Sequence, residues 1–322
     1  MLKGKGYVAM LLLAVFCCLF PADMLAEEEL VAFGDFESWI TRSIKESTIV
    51  GGKTQKLYEV GPTGIYDGPR AYTNQGGSPW ACSNVYAKVY GVVKTNISVY
   101  PDTHDNGLCA KLTTHIVSCK AIGIVNISAL ATGSLFLGTL LEPITDTANP
   151  MAKMDMSIPF THKPKALKFD YKFYTPGTPR IRETGFGRRQ EVSGQDMAQC
   201  ICLLQKRWED ADGNIHALRV GSMLQRFSQN TSEWKDGQTF TIHYGDITHE
   251  SFYQDWMGLR TGNNTFCAKN SKGKIVPVQE EGWARPDDEP THIILKFDSS
   301  HGSAYTGTVG NTLWIDNVKF VY

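Results

Sequence analysis

Short runs in which apolar and polar residues alternate fill the sequence after its first 26 residues. In KALKFDYKFYTPG, Leu167, Phe169, Tyr171 and Phe173 alternate with more polar residues, and a Pro-Gly pair follows. Successive side chains of a strand point to opposite faces, so this pattern predicts a half-buried strand that ends at a turn. Sustained helical periodicity is absent. The chain is therefore predicted to be all-β.

Further strands are predicted along the chain. CICLLQKRW and IHALRVGS flank EDADGN, where Gly213 and Asn214 suit the tight turn of a hairpin. TFTIHYG, THIILKFDSS and TLWIDNVKFVY also have strand patterns, whereas GSLFLGTLLEPI fits a buried strand or a short helix. Many short strands favour an antiparallel sandwich, either immunoglobulin-like or jelly roll. Because no linker divides residues 27–322, we expect one elaborated jelly-roll domain there.

The first 26 residues have the pattern of a secretory signal peptide. Two lysines precede an uncharged apolar run from Tyr7 to Phe20, and the segment ends at Ala26. The run is too short to predict a membrane span. We expect cleavage after Ala26 and export to the periplasm or the cell surface. Lipid anchoring at one of the two cysteines in this segment is the less favoured alternative.

The charge of the chain is nearly balanced. It has 32 basic and 33 acidic residues, and loss of the signal segment removes two lysines and one aspartate, leaving 30 and 32. This balance gives no reason to expect nucleic acid or a charged membrane surface as a partner. We also expect no transmembrane segment in the mature chain.

Six cysteines lie after the signal segment, and an exported protein can pair them. No C-x-x-C pair is present, so the sequence does not support a zinc ribbon or a thioredoxin-like site. We expect most of these cysteines to be free buried thiols.

One carboxylate lies on the apolar side of the last predicted strand. In LWIDNVKFVY, Asp316 shares a face with Trp314, Val318, Phe320 and Tyr322. A carboxylate in such a place requires a hydrogen bond, an ion pair or a metal ion.

The first and last strands of a jelly roll commonly pair, which predicts that VAFGDFESW lies beside the last strand. Asp35 and Glu37 then approach Asp316, and a calcium ion would neutralise the three carboxylates. The alternatives are a bulge that turns Asp316 to water, or a partner such as Lys319 or backbone N–H groups.

No hydrolase signature is present, since the chain lacks both G-x-S-x-G and H-E-x-x-H. A glycosidase needs two carboxylates across a sugar. The segment QEEGWARPDDEP, read as a loop, offers Glu280, Glu281, Asp287, Asp288 and Glu289, but nothing in the sequence fixes a pair. A solvated acidic loop is the alternative. Its mixture of tryptophan, arginine and acids also suits sugar binding.

Loop tryptophans are candidate platforms for a ligand. Those in predicted loops are Trp80, Trp256 and Trp283. For those in strand patterns, core packing is expected: Trp39, Trp208 and Trp314.

Several segments together carry a resemblance to a known family. They are DFESW, SPWACSN, LATGSLFLGT, LKFDYKFYTPG, QCICLL and PTHIILKFDSSHGSAYTGTVGNTLWIDNVKFVY. From about Phe33 to Tyr322 the chain resembles the putative carbohydrate metabolism domain family of exported Bacteroidetes proteins. The resemblance implies a galactose-binding-like jelly roll and a role in handling glycans. The family has no established reaction, so the resemblance implies no catalytic residue.

The resemblance also bears on the metal. In related jelly-roll sugar modules an N-terminal FE and a C-terminal DDV hold a structural calcium. Glu37 matches the first motif and Asp316 the second, with Asn317 in place of the second aspartate.

The preferred hypothesis is a non-catalytic protein that binds a polysaccharide or glycan. Trp80 and Trp283 would stack on the sugar, and Asn84 and Arg285 would hydrogen-bond its hydroxyl groups. One alternative is a glycoside hydrolase or lyase that uses the acids of residues 280–289. The other is a structural or adhesive surface protein that binds an envelope protein.

Overall fold

A computed structural model of the protein describes residues 26–71, 75–121, 125–145, 150–185 and 189–322. The predicted signal segment, apart from its last residue, lies outside these ranges. Within them, no helix has the length and apolar character needed to cross a bilayer.

The described residues form strands and short 3-10 helices, with no α-helix among them, so the all-β prediction is confirmed. The strands, numbered β1 to β27 in this order, are Glu28–Leu30, Trp39–Lys45, Thr54–Val60, Gly64–Asp67, Trp80–Cys82, Val85–Val89, Val92–Asn96, Val99–His104, Gly107–Thr113, His115–Ala121, Val125–Ala131, Ser134–Leu140, Met154–Met156, Ile158–Pro159, Ala166–Tyr174, Ile181–Arg182, Thr184–Gly185, Gln190–Glu191, Ala198–Glu209, Ile215–Phe227, Lys235–Thr241, His243–Tyr244, Cys267–Lys269, Ile275–Trp283, His292–Asp298, Thr306–Gly307 and Thr312–Val321. The 3-10 helices are Thr48–Val50, Gln75–Gly77, Pro150–Lys153, Asp255–Met257 and Gly262–Asn264.

Two large sheets contain most of the long strands. The first has six strands, with β21, β15, β27, β9 and β8 in spatial order and β1 beside β27. The second has ten strands, ordered β13, β12, β25, β19, β20, β24 and β23, with β5, β14 and β22 paired to members of this series. Most neighbours are antiparallel, as predicted, but β2 pairs with β4 and β20 with β24 in parallel.

The two large sheets pack face to face. Phe169 and Ile315 of the first sheet share one buried cluster with Cys202, Leu295 and Phe297 of the second. The Phe169 and Phe297 rings meet edge to face, with 5.1 Å between centroids. Apolar burial between two sheets is the packing of a β-sandwich. The sandwich is therefore observed, whereas the jelly-roll connectivity and the galactose-binding likeness stay predictions.

The second sheet is buried on both faces around β19. Cys200 and Cys202 point into the cluster between the sheets, while Ile201 and Leu203 join a second cluster on the opposite face. Phe266, which precedes β23, covers that opposite face. Because both faces are covered, the strand has the nearly continuous apolar run CICLL instead of an alternating pattern.

The two ends of the described chain lie side by side, as predicted. Glu28 of β1 pairs with Val321 of β27, and Val31 donates its backbone N–H to the Val318 carbonyl at 2.9 Å. The hairpin prediction is also confirmed, since β19 and β20 pair along their length and Gly213 has a φ of 91° in the turn.

The structure shows the conformation of the apolar segment GSLFLGTLLEPI and the state of the cysteines. SLFLGTL, Ser134–Leu140, forms the strand β12. The cysteines for which the structure describes side chains are free and buried, namely Cys82, Cys109, Cys200, Cys202 and Cys267.

Candidate functional site

A cavity of about 380 Å³ lies beside the end of β19. It is called the Trp208 cavity below, and its polar and aromatic lining includes Asp155, Ser157, Arg207, Trp208, Glu209 and His292. Trp208 is 42% exposed although it belongs to a strand. An exposed indole beside hydrogen-bonding groups is the combination that small-molecule sites use.

The indole of Trp208 is supported from β20. His216 pairs with Trp208 across the hairpin, and the two rings stack with 5.5 Å between centroids and 16° between planes. Asp210 and Glu281 hold the imidazole: its Nε2 lies 3.3 Å from Asp210 Oδ2 and its Nδ1 lies 2.5 Å from Glu281 Oε1. These hydrogen bonds, first that of Asp210, raise the pKa of His216. The ring on one side of Trp208 is therefore fixed in place by two acids.

Arg207 contributes a positive charge with no acidic partner at ion-pair distance among the described residues. Its Nη1 donates to Ser157 Oγ at 2.6 Å and its Nε to Gln205 Oε1 at 2.8 Å. The Nη2 atom has no hydrogen-bond partner in the described chain. Burial lowers the pKa of the guanidinium to about 10, so it stays charged at neutral pH.

Two titratable groups of the cavity are unprotonated at neutral pH. Burial, followed by the charge of Arg207, lowers the pKa of His292 to about 4. The hydroxyl and backbone N–H of Ser271 donate to Glu209 at 2.6 and 2.8 Å and lower its pKa. Neither group holds the proton that the general acid of a glycosidase must donate.

Trp80 does not lie on a surface loop, which corrects the sequence prediction. It begins β5, is 0% exposed, and packs on Phe36 with 5.4 Å between ring centroids. Its Nε1 donates to the Ala32 carbonyl at 2.8 Å. A ring enclosed between the sheets has no face left for a sugar.

Asn84 is also buried, at 1% exposure, which excludes it from a surface site. Its Nδ2 donates to the Tyr58 and Val99 carbonyls, each at 2.7 Å. Its Oδ1 accepts from the backbone N–H groups of Ser98 and Val99 at 2.8 and 2.9 Å. The amide therefore ties neighbouring backbone segments together, since its donors and acceptor are all used internally.

Trp283 and Arg285 lie near the end of β24. Trp283 is the last residue of that strand and is half-buried, with the Arg219 guanidinium 5.3 Å from its ring centroid. Arg285 has a side chain that is 78% exposed, and its backbone N–H donates to Asp288 Oδ2 at 2.9 Å. Their assignment to a sugar site stays a prediction.

The acidic segment is not one solvated loop, because its first part belongs to β24. Glu280 is buried and forms an ion pair with Arg219, whose side chain is also enclosed. Glu281 contacts His216, and Asp288 lies 3.1 Å from the Lys206 ammonium. The parallel pairing of β24 with β20 places Glu280 and Glu281 against the basic side chains of that strand, Arg219 and His216.

Glu37 and Asp316 each have a separate partner in the structure. Glu37 is exposed and accepts from the Leu108 backbone N–H at 3.1 Å. Asp316 is buried, and its Oδ2 lies 2.7 Å from His104 Nδ1. Burial raises the pKa of Asp316 to about 6. The acid on the apolar face is therefore satisfied by His104, which was not predicted, and by a backbone N–H group, which was one of the predicted alternatives: Asp316 Oδ1 accepts from the Asn317 N–H at 2.7 Å.

A second cavity, of about 400 Å³, lies around Arg180 and Asp196. No aromatic side chain lines it in the described chain. Asp196 accepts hydrogen bonds from Ser300, Asn311 and the backbone of Thr308 at 2.6 to 3.0 Å. Since its carboxylate is occupied by internal donors, this cavity is the weaker candidate.

Sequence reasoning missed Trp208, which was expected in the core. The sequence contains one signal for its exposure. Trp208 follows two basic residues, Lys206 and Arg207, and directly precedes the EDADGN turn. A strand end flanked by charges and a turn lies beyond the apolar core, so a tryptophan there is more exposed than one in mid-strand.

The chain is similar to a family model and to solved structures. One similar solved structure is described as a putative glycoside hydrolase from Bacteroides thetaiotaomicron VPI-5482, with 18% identity, a TM-score of 0.44, and coverage of 84% of this chain and 76% of that chain. Another, described as a putative glycoside hydrolase from Bacteroides vulgatus ATCC 8482, has 15% identity, a TM-score of 0.42, and coverage of 89% and 96%. No curated protein matches the sequence. Residues 64–321 match the family model described as "Putative carbohydrate metabolism domain", and the chain belongs to that family.

Proposed function

We propose that this protein is a non-catalytic carbohydrate-binding protein and that the Trp208 cavity is its binding site. The observation that carries the proposal is the exposed indole of Trp208, held against His216 at the edge of a cavity of about 380 Å³. Membership of a carbohydrate-related family supports the class of ligand.

The chemistry of the cavity suits a sugar ring. The indole offers an apolar surface to the C–H face of a pyranose, as aromatic rings do at interfaces that are partly wet. Asp155 lies beside it as a hydrogen-bond acceptor for hydroxyl groups, with its Oδ1 already oriented by the Lys269 backbone N–H at 2.9 Å. Ser157 and His292, also in the lining, can pair with further hydroxyl groups.

We also propose that the protein is exported. The signal pattern of residues 1–26 supports export to the periplasm or the cell surface, where polysaccharides are met. Fractionation of expressing cells tests this part, and a protein found only in the cytoplasm would overturn it.

Binding is tested by titration calorimetry against a panel of oligosaccharides. Affinities between about micromolar and millimolar are expected, or about −8 to −4 kcal/mol. Trp208→Ala should weaken binding of any sugar that the wild type binds by at least about tenfold, which is about 1.4 kcal/mol. Tyr90→Ala is the matched control, since Tyr90 is an aromatic residue that is 97% exposed and lies outside the cavity.

The other hypotheses give different results in the same panel. If Trp283→Ala abolishes binding and Trp208→Ala does not, the site is the one predicted around Trp283. Release of reducing ends that is lost in Asp155→Asn would indicate a hydrolase at the Trp208 cavity. A panel without any binding sugar, together with capture of a defined envelope protein, would indicate the adhesive role.

A further inference from the structure

Three aspartates and one histidine, each from a different strand of the first large sheet, lie close together. They come from β8, β15, β21 and β27, and are His104, Asp170, Asp236 and Asp316. Ligand atoms of His104, Asp170 and Asp236 all lie within 4.8 Å of one another. Two ligand atoms of one ion are separated by at most twice the bond length, and with bonds of about 2.0 to 2.4 Å this limit is about 4.8 Å.

The sheet itself creates this arrangement. Asp170 lies opposite Asp316 where the pairing of β15 with β27 shifts register. Asn317, next to Asp316, has a φ of 52°, a left-handed value that is uncommon outside glycine. The irregularity brings two buried acids into register on neighbouring strands, where a regular ladder normally avoids like charges.

His104 is oriented by Asp316 and points its other nitrogen at the acids. Asp316 Oδ2 lies 2.7 Å from Nδ1, so a proton on Nδ1 leaves the lone pair of Nε2 free to bind a cation. Nε2 has no hydrogen-bond partner among the described residues, and the ring is only 6% exposed. Carboxylate oxygens lie on this side of the ring, that of Asp236 at 3.5 Å from Nε2 and that of Asp105 at 3.9 Å. A cation between Nε2 and these carboxylates would satisfy all of them.

Asp170 is also set in position. Its Oδ1 accepts from the Gly237 backbone N–H at 2.5 Å and its Oδ2 from Asn317 Nδ2 at 2.8 Å. Each oxygen retains a second lone pair for another partner. In the described chain no lysine or arginine forms an ion pair with Asp170, Asp236 or Asp316, and the basic side chain beside them is the imidazole of His104.

We propose that His104, Asp170 and Asp236 bind one divalent transition-metal ion of the zinc class. Asp316 accepts the Nδ1–H of His104 and so orients the ligand, which is the carboxylate–histidine–metal arrangement of many metal sites. Three protein ligands leave a fourth position for water. Asp236, with a side chain that is 68% exposed, lies on the open side by which an ion enters.

The ligand set differs from the calcium site expected from the sequence. Imidazole nitrogen suits zinc and its neighbours, whereas calcium takes six to eight oxygen ligands. Asp316 acts here through His104, and Glu37 is not a member of the group. The inference does not depend on sugar binding at the Trp208 cavity.

The test uses protein without a histidine tag, freed of metal with EDTA. Calorimetry with ZnCl₂, and metal analysis after dialysis, should show one zinc ion per chain. Asp236→Asn should weaken zinc binding by at least about tenfold without loss of fold, because this side chain is exposed. Asp316→Asn should weaken zinc binding by about 10- to 100-fold, the effect expected for a residue that orients a metal ligand.

Asp212→Asn is the matched control, since it removes an exposed carboxylate outside the group and should bind zinc like the wild type. A wild type that binds no zinc would overturn the proposal, as would equal affinities of Asp236→Asn and the wild type. Calcium binding that excess zinc does not displace would also overturn it, in favour of a site for a harder ion.

Discussion

Arg219 donates a hydrogen bond from Nε to Glu280 Oε1 at 2.6 Å, with both side chains fully enclosed. Arg219 also lies against Trp283, and Glu280 accepts from the Arg260 backbone N–H at 2.6 Å. Burial raises the pKa of Glu280, but the charge and hydrogen bond of Arg219, together with the Arg260 N–H, outweigh burial and hold the pKa below its usual value. Glu280 is therefore a structural anion and not a proton donor.

Glu280→Gln should accordingly destabilise the fold. Loss of the acid leaves the Arg219 charge buried without its partner, which costs about 3–5 kcal/mol in the free energy of unfolding. Urea denaturation followed by tryptophan fluorescence measures it. Glu281→Gln is the control, with a side chain that is 48% exposed, and should cost less than about 1 kcal/mol. Equal effects of the two substitutions would contradict the structural role.

Trp80→Ala should destabilise the fold strongly, whereas Trp208→Ala should affect its stability little. Trp80→Ala removes a fully enclosed ring and should cost about 3–5 kcal/mol of unfolding free energy. Trp208→Ala should cost less than about 1 kcal/mol, because Trp208 is 42% exposed. Urea denaturation compares them. If Trp80→Ala left the free energy of unfolding unchanged, this ring would not be part of the core.

His216→Ala should weaken sugar binding while leaving the fold intact. Removal of the imidazole frees the Trp208 indole, and an aromatic pair is worth about 0.5–1.5 kcal/mol, so the affinity should fall about two- to tenfold. Calorimetry with a sugar from the panel measures the change. His249→Ala is the control, since His249 is exposed and does not line the cavity. An unchanged affinity in His216→Ala would show that the stack does not position the indole.

Glu59 should make stability depend on pH. It is buried beside Arg42, whose Nη1 lies 2.7 Å from Glu142 Oε2, so one guanidinium faces two acids. Burial raises the pKa of Glu59 from 4.5 to about 7. Between these values the folded protein holds a proton that the unfolded chain has lost. The free energy of unfolding therefore falls as pH rises from about 4.5 to about 7.

Melting temperatures of wild type and Glu59→Gln across this range measure the effect. Because the amide of Glu59→Gln does not titrate, the melting temperature of the variant should fall less than that of the wild type as pH rises. Parallel curves for the two proteins would mean that Glu59 is ionised in the fold throughout.

Local pattern predicted much of the fold. The alternation in KALKFDYKFYTPG corresponds to β15, and CICLLQKRW with IHALRVGS corresponds to the hairpin of β19 and β20. The pairing of the chain's ends and the family were also predictable. The strands depend on residues close in sequence and the family on short motifs, while the pairing of the ends was expected because the first and last strands of a jelly roll commonly pair.

The candidate site was less predictable. GGSPWACSN has the glycines, serine and proline typical of a loop, yet Trp80 starts a short strand that pairs with β12. Trp208 lies in a regular strand pattern but near the end of a strand of 12 residues, next to the turn. In both cases exposure depends on which distant segment covers the ring.

The sequence by itself determined the all-β class and most strands, because side-chain alternation is a local property of the backbone. The closeness of the two chain ends was expected from the predicted fold class, in which the first and last strands commonly pair. The tertiary structure decided which tryptophan is exposed and which partner Asp316 has. His104 lies more than two hundred positions from Asp316 along the chain, and their 2.7 Å contact arises only when β8 and β27 join one sheet. Burial and hydrogen-bond pairing are set by contacts between distant segments, which no local pattern records.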